Sequence, residues 1–506
     1  VTPPVWRERL RLPDDGWTFE LLPTLDNRHG DFHRPPSPTL IGAEARRLWH
    51  REAEVTDADA DADWHRVGLD LHGWTRVAPT HGPKAWLLGP LPVGVEVPAD
   101  QLQALSRLDL IARPADLCLA DHRYNWSEYE FSEQWGVLDD PVLKHWATGP
   151  HGLKKQVPDE FIDLLAPATG MRWLLLTALV TDRAGPAVLV AGSRAAHAVW
   201  LAGQPLLARS LELPPGQRSQ WKLLHYDAAP RRVEINLVAG ATTLLVELWQ
   251  PPGQRTRAYV AIDAPLPAQP PALRWFAGAP RARFNHRPQA GRSVQWLRCD
   301  TPPGVQGLTT LSCGSVQAWL DGVALVLLGS RQLGTVVETR WRAPQPFARH
   351  GQLALRVDAA PGARRGSALA GPVRFDCGPG LVTLDDWSRL GLADYAGAAR
   401  YSIDFTLTAA DLALPLALEL GAFVASAALS LNGAPLAQVL TDDELVDLQP
   451  AARSGVNRLE IVVASALAQH FHAASPTPYF DPRQHRAGLS GPVRLLSSCT
   501  SLKSPP

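Results

Sequence analysis

The stretch Gln317-Ala-Trp-Leu-Asp-Gly-Val-Ala-Leu325 joins two apolar runs through the pair Asp321-Gly322. An Asp-Gly pair in this setting predicts a two-residue β-hairpin, because both positions of the favoured hairpin turn take a positive φ. The pattern recurs as Ala198-Val-Trp-Leu-Ala-Gly-Gln-Pro-Leu206 and as Ala428-Leu-Ser-Leu-Asn-Gly-Ala-Pro-Leu436. Three hairpins of one design predict three related β-domains.

A second element repeats in step with the hairpins. A turn glycine precedes a strand rich in Leu and Val at Gly240, Gly351 and Gly455. The hairpin glycines recur at intervals of 119 and 111 residues, and these glycines at 111 and 104. The segment Leu369-Ala-Gly-Pro-Val-Arg374 also returns as Leu489-Ser-Gly-Pro-Val-Arg494. The shared spacing is that of one sandwich domain per repeat.

These repeats predict an all-β chain of tandem β-sandwiches with the domains 169–270, 271–380 and 381–506. Residues 1–168 do not repeat and are predicted to form an N-terminal β-rich domain. The 46 prolines and 39 glycines disfavour long helices. Strands do not alternate with helical patterns, so we expect no (β/α)₈ barrel within this chain.

The composition disfavours nucleic acid and anionic lipid as partners. The formal net charge is −1 and the isoelectric point is about 7.0, which provides no basic surface for nucleic acid or for anionic lipid. No apolar run is long enough to cross a membrane. The chain starts at Val1 without an initiator methionine, so we expect it to be part of a longer polypeptide.

No cofactor or metal site is predicted. The five cysteines are scattered and form no C-x-x-C pair, which favours buried thiols over a disulfide framework or a zinc site. The acidic run from Asp57 to Asp63 leaves calcium as an alternative. However, that run lacks the glycine and the distal glutamate of a calcium loop and is typical of a solvated loop.

Sugar binding is the chemistry that the aromatic residues favour, because flat indole and phenol rings stack on pyranose faces. A polar stretch with interleaved aromatic residues provides the first group of candidates, and a second aromatic group lies near residue 390. The carbohydrate-binding candidates are Trp126, Tyr129, Trp135, Asp139, Asp140, Trp387 and Tyr395.

Other interpretations of these residues stay open. Trp200 and Trp319 hold equivalent places in two repeats, which favours a role in the core. Hydrolysis of a glycoside needs two carboxylates, and Glu128, Glu130 and Glu133 lie with the candidate aspartates in the densest acidic cluster. The same cluster is also typical of a solvated loop or of a surface that packs against another domain. We therefore predict no catalytic residue in this chain.

Several motifs occur together in the chain, and they are Gly16-Trp-Thr-Phe-Glu-Leu-Leu-Pro-Thr-Leu-Asp-Asn-Arg-His-Gly-Asp-Phe32, Phe131-Ser-Glu-Gln-Trp-Gly-Val-Leu-Asp-Asp140, Gly149-Pro-His-Gly-Leu153, Tyr395-Ala-Gly397, Pro476-Thr-Pro-Tyr479 and Gly488-Leu-Ser-Gly-Pro-Val493. In combination they resemble the region that follows the catalytic barrel in glycoside hydrolase family 106, the α-L-rhamnosidase family. The resemblance extends over nearly the whole chain. It implies sandwiches of the galactose-binding-like jelly-roll type and catalytic glutamates in a barrel that this chain lacks.

The resemblance also implies a function. The chain would be the accessory, non-catalytic part of a bacterial hydrolase that degrades polysaccharide containing rhamnose. It would support the catalytic barrel as its partner and bind carbohydrate, in a secreted or periplasmic protein. Two alternatives are a stand-alone lectin-like protein and a structural scaffold without a ligand.

Overall fold

The structure is a computed structural model. It describes residues 5–22, 43–54, 63–79, 83–110, 113–130, 161–164, 167–193, 195–210, 231–253, 256–263, 282–288, 292–333, 336–395, 397–466, 469 and 486–498. This part of the chain consists mostly of antiparallel strands, α1 is the one α-helix with described bounds, and short 3-10 helices span Arg365–Ala368, Trp387–Leu390 and Asp411–Ala413. The prediction of an all-β sandwich protein is confirmed.

The elements up to residue 130 are β1 (Trp6–Arg11), β2 (Asp15–Leu22), β3 (Glu44–Ala45), β4 (Leu48–Glu54), β5 (Thr75–Val77), β6 (Pro83–Pro92), α1 (Ala99–Leu105), β7 (Leu117–Leu119), β8 (His122–Tyr124) and β9 (Trp126–Glu130). Then follow β10 (Phe161–Leu164), β11 (Met171–Thr181), β12 (Gly185–Ser193), β13 (Ala196–Leu201), β14 (Gln204–Ser210), β15 (Arg231–Leu237), β16 (Gly240–Gln250), β17 (Thr256–Asp263) and β18 (Ala282–Asn285). The next strands are β19 (Ser293–Thr301), β20 (Val305–Ser312), β21 (Gly314–Leu320), β22 (Val323–Ala324), β23 (Val326–Leu333), β24 (Val336–Phe347), β25 (Gly351–Ala359), β26 (Val373–Cys377) and β27 (Gly380–Thr383). The last strands are β28 (Ala398–Leu407), β29 (Leu416–Glu419), β30 (Ala422–Phe423), β31 (Ser426–Leu431), β32 (Ala434–Val439), β33 (Val446–Asp447), β34 (Gly455–Ala464), β35 (Leu489–Gly491) and β36 (Arg494–Ser498).

Three sheets of like design contain the repeated elements, and we call them the long sheets. Their strand orders are β14-β13-β16-β11-β6-β9, β22-β21-β25-β19-β4-β5 and β32-β31-β34-β28-β2-β27, with β18 also pairing with β11. In each sheet the repeated hairpin pairs with the strand that follows the repeated glycine, and that strand pairs with the central strand β11, β19 or β28. The repeat in the sequence is therefore a repeat of strand order.

Each long sheet packs against a short sheet and so forms a sandwich. The short sheets are β10-β17-β12-β15 in the first sandwich, β23-β24-β20-β26-β3 in the second and β1-β36-β29-β33 in the third. Every sandwich has its own apolar core between the two sheets. The alternation of buried and exposed side chains along β28 shows how a strand contributes one face to such a core. Tyr401, Ile403, Phe405 and Leu407 are buried, whereas Asp404 is exposed.

The turns have the predicted geometry. Asp321 and Gly322 have φ of +47° and +76°, and Asn432 and Gly433 have +54° and +83°. The first copy adopts the same turn with Ala202 at φ +51°, although alanine is disfavoured in the left-handed region. The strand register is also equivalent in the three long sheets. Gly240, Gly351 and Gly455 each pair with the last residue of their central strand.

The non-repeating N-terminal segments supply the strand next to the central strand in every long sheet. β2 pairs with β28 in the third sandwich, β4 with β19 in the second and β6 with β11 in the first. The N-terminal strands therefore belong to the third, the second and the first sandwich, in that order. The later strands belong to the first, the second and the third. Division into domains at 168, 270 and 380 stays a prediction about independently folding units, which strand pairing does not decide.

The outer faces of the three long sheets differ. A second apolar cluster covers the outer face of the first long sheet, and α1 and the β7–β8 hairpin pack over this cluster. Residues 63–79 cover the outer face of the second long sheet, where an aromatic cluster forms around Trp74 and Trp296. The third carries exposed ion pairs such as Arg400 with Glu20. No helix in the described ranges is long and apolar enough to cross a membrane.

Candidate functional site

Trp126, a predicted sugar-binding residue, lies in the core. Its side chain is 3% exposed and belongs to the cluster beneath α1. The indole Nε1 donates a hydrogen bond to the carbonyl oxygen of Ala115 at 3.0 Å, and Arg113 binds the carbonyl oxygen of Trp126. As placed, the ring presents no exposed face for stacking on a sugar.

The second predicted group is buried in the third sandwich. Trp387 and Tyr395 are each 1% exposed, and their ring centroids lie 5.2 Å apart. The Trp387 indole donates to the Tyr401 hydroxyl at 2.6 Å, and the Tyr395 hydroxyl donates to the carbonyl oxygen of Ala398 at 2.8 Å. Burial raises the pKa of Tyr395 above its usual range. These rings therefore fill the core of the sandwich in this structure.

Of the remaining predicted residues, one is described by the structure and three lie outside the described ranges. Tyr129 is half-buried and packs against the core of the first sandwich. Trp135, Asp139 and Asp140 lie outside the described residues, as does Glu133 of the acidic cluster. Their binding role stays a prediction.

The described acidic residues of the cluster form two sets of ion pairs, that of Glu128 with residues directly after β18 of the same sheet and that of Glu130 with the second sandwich. Glu128 Oε1 lies 3.1 Å from His286 Nε2 and 2.7 Å from Arg287 Nη2. Glu130 pairs with Arg365 at 2.8 Å. The His286 hydrogen bond and the nearby guanidinium groups lower the pKa of Glu128 to about 2, against a smaller opposing effect of burial. This arrangement suits a contact between domains, not an acid catalyst that must hold a proton.

A cleft lies at one end of the first long sheet, where the ends of five strands or their following loops meet. The antiparallel register brings Met171 opposite both Gln250 and Pro92, and Ala196 opposite Trp249. The cleft has a volume of about 250 Å³. Within this sheet β6, β11, β13 and β16 each pair with a strand on both sides, whereas β14 is the edge strand, so the side chains at the ends of the four inner strands have fixed positions.

Arg172 forms the polar centre of this cleft. Its guanidinium binds the Glu247 carboxylate, and the two side chains are only 6% and 3% exposed. Glu247 also accepts a hydrogen bond from the Trp200 indole at 2.8 Å. Glu96, on the loop after β6, approaches Arg172 Nη1 at 3.3 Å with a side chain that is 83% exposed. The two charges of the buried pair thus match each other, and the exposed Glu96 is the contact of Arg172 toward solvent.

Trp249 is the aromatic residue of the cleft, and two guanidinium groups lie over its indole. The distances from the ring centroid to the guanidinium carbon are 5.0 Å for Arg172 and 4.5 Å for the exposed Arg209. Cation–π contacts of this kind are worth about 0.5–1 kcal/mol at exposed sites and more when desolvated. The indole therefore fixes the positions of two sets of N–H donors that line the cleft.

None of these residues was predicted from the sequence, although a signal was present. Arg172 stands at the start of the apolar run Met171–Val180, and Glu247 interrupts the apolar run Leu244–Leu248. Two opposite charges inside neighbouring buried strands indicate a buried ion pair, because an unpaired charge there is costly. Pairing of these strands was not predicted, and without it the two charges could not be connected.

A second aromatic cluster lies on the outer face of the second long sheet. Trp319 stacks on His65 and on Trp296, with centroids 5.0 Å and 5.5 Å apart. Arg298 holds this cover in place by donating to the carbonyl oxygens of Trp64 and Arg66. Trp200 and Trp319, the equivalent residues of two repeats, thus both pack against outer-face clusters. No group of three His, Cys, Asp or Glu side chains suited to a metal ion occurs among the described residues.

No protein-family model and no curated protein sequence matches the chain. A solved structure with a similar segment is the rhamnosidase from Novosphingobium sp. PP1Y, at 18% identity and a TM-score of 0.22 over 41% of this chain. The chain spans 23% of that protein's length. The β-glucuronidase of an uncultured Clostridium sp. has 15% identity and a TM-score of 0.18, over 40% of this chain and 29% of the enzyme.

The Streptomyces avermitilis α-L-rhamnosidase complexed with L-rhamnose is a further similar structure. Identity is 12% and the TM-score 0.14, over 84% of this chain and 55% of the enzyme. These three neighbours are glycoside hydrolases. At such low TM-scores their likeness carries no argument about what this chain does.

Proposed function

We propose that this chain is a non-catalytic, carbohydrate-binding part of a glycoside hydrolase, and that it binds sugar in the cleft at Arg172, Arg209 and Trp249. The geometry of the cleft supports this proposal. Hydrogen-bond donors and acceptors converge on one concave site beside an indole, and rigid strand ends hold most of them in place. Such a combination of apolar surface with a few fixed polar groups is typical of small-molecule sites.

The carboxylates of the cleft support binding more than hydrolysis. Glu96 and Glu247 both contact the same guanidinium, that of Arg172. Two-carboxylate hydrolysis needs the two carboxyl groups on either side of the scissile bond, whereas here the Arg172 side chain lies between them and contacts both. The described residues also form no (β/α)₈ barrel.

The parent hydrolase is proposed from the motifs in the sequence. Their resemblance to the post-barrel region of glycoside hydrolase family 106 supports an accessory role beside a catalytic barrel and a rhamnose-containing glycan as the ligand. It also supports a secreted or periplasmic location. Sandwiches of the galactose-binding-like type are part of the same proposal.

Two assays on the chain test the proposal. Incubation with an aryl α-L-rhamnoside should release no phenol, and turnover would contradict the non-catalytic role. On a glycan array we expect binding that Trp249→Leu abolishes. Trp319→Leu is the matched control, because that ring is also half-buried but lies on the second sandwich.

The control separates the possible sites. Binding that survives Trp249→Leu and disappears in Trp319→Leu would contradict the assignment to the cleft. A folded wild-type chain that binds no glycan would contradict carbohydrate binding altogether.

A further inference from the structure

We infer that the cleft selects a sugar bearing an oxyanion, either the carboxylate of a uronic acid or a sulfate ester, over a neutral sugar. This inference rests on the proposed function and specifies its ligand class. It begins from the Trp249 indole, which lies beneath the guanidinium groups of Arg172 and Arg209. Because cations already lie over the ring, a neutral pyranose would have to displace one of them before stacking. We therefore expect the guanidinium groups, and not the ring face, to bind the sugar.

The charges of the cleft are arranged unevenly. Glu247 is buried and its oxygens are engaged by Arg172 and Trp200, so it neutralises charge on the inner side. Arg209 is exposed at the end of β14, and no carboxylate pairs with it within the described ranges. Opposite it, Arg172 meets only the exposed Glu96 on the outer side, at 3.3 Å. Arg209 is thus the guanidinium of the cleft whose charge no described carboxylate matches, and a ligand can meet it from the outer side.

Arginine suits this ligand better than lysine would. Its planar guanidinium has five N–H donors that bind carboxylate or sulfate oxygens in pairs. The Nε of Arg172 is buried, so a ligand in the cleft would meet this guanidinium through Nη1, the atom that also contacts the exposed Glu96. With about 250 Å³, the cleft is smaller than the roughly 300–1,000 Å³ typical of drug-sized ligands, which fits one charged sugar residue.

Calorimetric titration of the chain tests the inference. The probes are a uronic acid disaccharide, its carboxyl-reduced neutral counterpart and a sulfated disaccharide, each at low and at physiological salt. We expect the neutral compound to bind at least tenfold more weakly than one of the two anionic compounds, and the anionic affinity to fall with salt. The two anionic arms identify which oxyanion is bound.

Substitution of Arg209 locates the effect. Arg209→Gln should reduce anionic binding about tenfold, with Arg209→Lys intermediate. Arg389→Gln is the control, because that arginine is exposed on the third sandwich. Equal affinity for neutral and anionic sugars would overturn the inference and leave the proposed function standing. Failure of a folded chain to bind any of the three would contradict both, and anionic binding unaffected by Arg209→Gln would overturn the inference.

Discussion

The ion pair of Arg172 with Glu247 is expected to hold the first sandwich together as well as to shape the cleft. In the Arg172→Met variant the Glu247 carboxylate, 3% exposed, keeps its hydrogen bond from Trp200 but loses its counter-charge. Breaking one side of a buried ion pair costs about 3–5 kcal/mol. A domain of 150–250 residues shifts its melting temperature by about 2–4 °C per kcal/mol. We therefore expect the melting transition of this sandwich to fall by roughly 6–20 °C.

A double variant separates the charge effect from the loss of packing. Arg172→Met with Glu247→Leu replaces both charges by apolar groups and leaves only the Trp200 indole without its acceptor. That loss costs about 1–3 kcal/mol, so the double variant should be more stable than Arg172→Met alone.

Thermal unfolding, with hydrogen exchange in β11 and β16 to assign the transition, measures these variants. A chain of three sandwiches need not unfold in one step, which makes the assignment necessary. A loss below about 1 kcal/mol in Arg172→Met would refute the reasoning, and so would a double variant less stable than that single variant.

Three further predictions concern the repeat, the cover of the second sandwich and the ion pairs of Glu128. Ala202→Asn should stabilise the first sandwich by about 1 kcal/mol, measured by thermal melting, because asparagine tolerates the positive φ that Ala202 adopts. Arg298→Met should increase hydrogen exchange in residues 63–79, because two carbonyl oxygens there lose their donor. Glu128→Gln should lower stability at neutral pH and reduce its loss in acid, measured as melting temperature against pH. The pKa of His286 is lowered by burial and that of Glu128 is lowered to about 2, so the folded state binds fewer protons than the unfolded chain. Stability should therefore fall below pH 6.5 and again below pH 4.5.

Each of these has a result that would contradict it. Ala202→Val should destabilise the turn, and equal stability of the valine and asparagine variants would show that φ is not the cause. Unchanged exchange in residues 63–79 would mean that apolar packing alone holds the cover. A wild-type melting temperature that stays flat between pH 6.5 and 2 would remove the role assigned to Glu128.

The repeated hairpins could be predicted because turn chemistry is local. Asp321-Gly322 and Asn432-Gly433 specify their turns within two residues. The strand order of the sandwiches required more than that. β2 pairs with β28 across more than 370 residues of sequence, and nothing in the sequence of either strand identifies its partner.

The candidate site was predicted less well, also for a physical reason. Trp126, Trp387 and Tyr395 were selected for their rings, but composition does not determine whether a ring points into a core or into solvent. Trp249 was overlooked because its setting depends on the pairing of β16 with β11 and β13. Only that pairing places Arg172 beside it.

A crystal structure of the chain with the tightest-binding glycan from the array would show whether the cleft is the sugar site. We expect one sugar residue in the cleft of the first sandwich, with an oxyanion contacting Arg209 and the outer side of Arg172. Sugar density on the aromatic cluster around Trp319 instead, with an empty cleft, would contradict it.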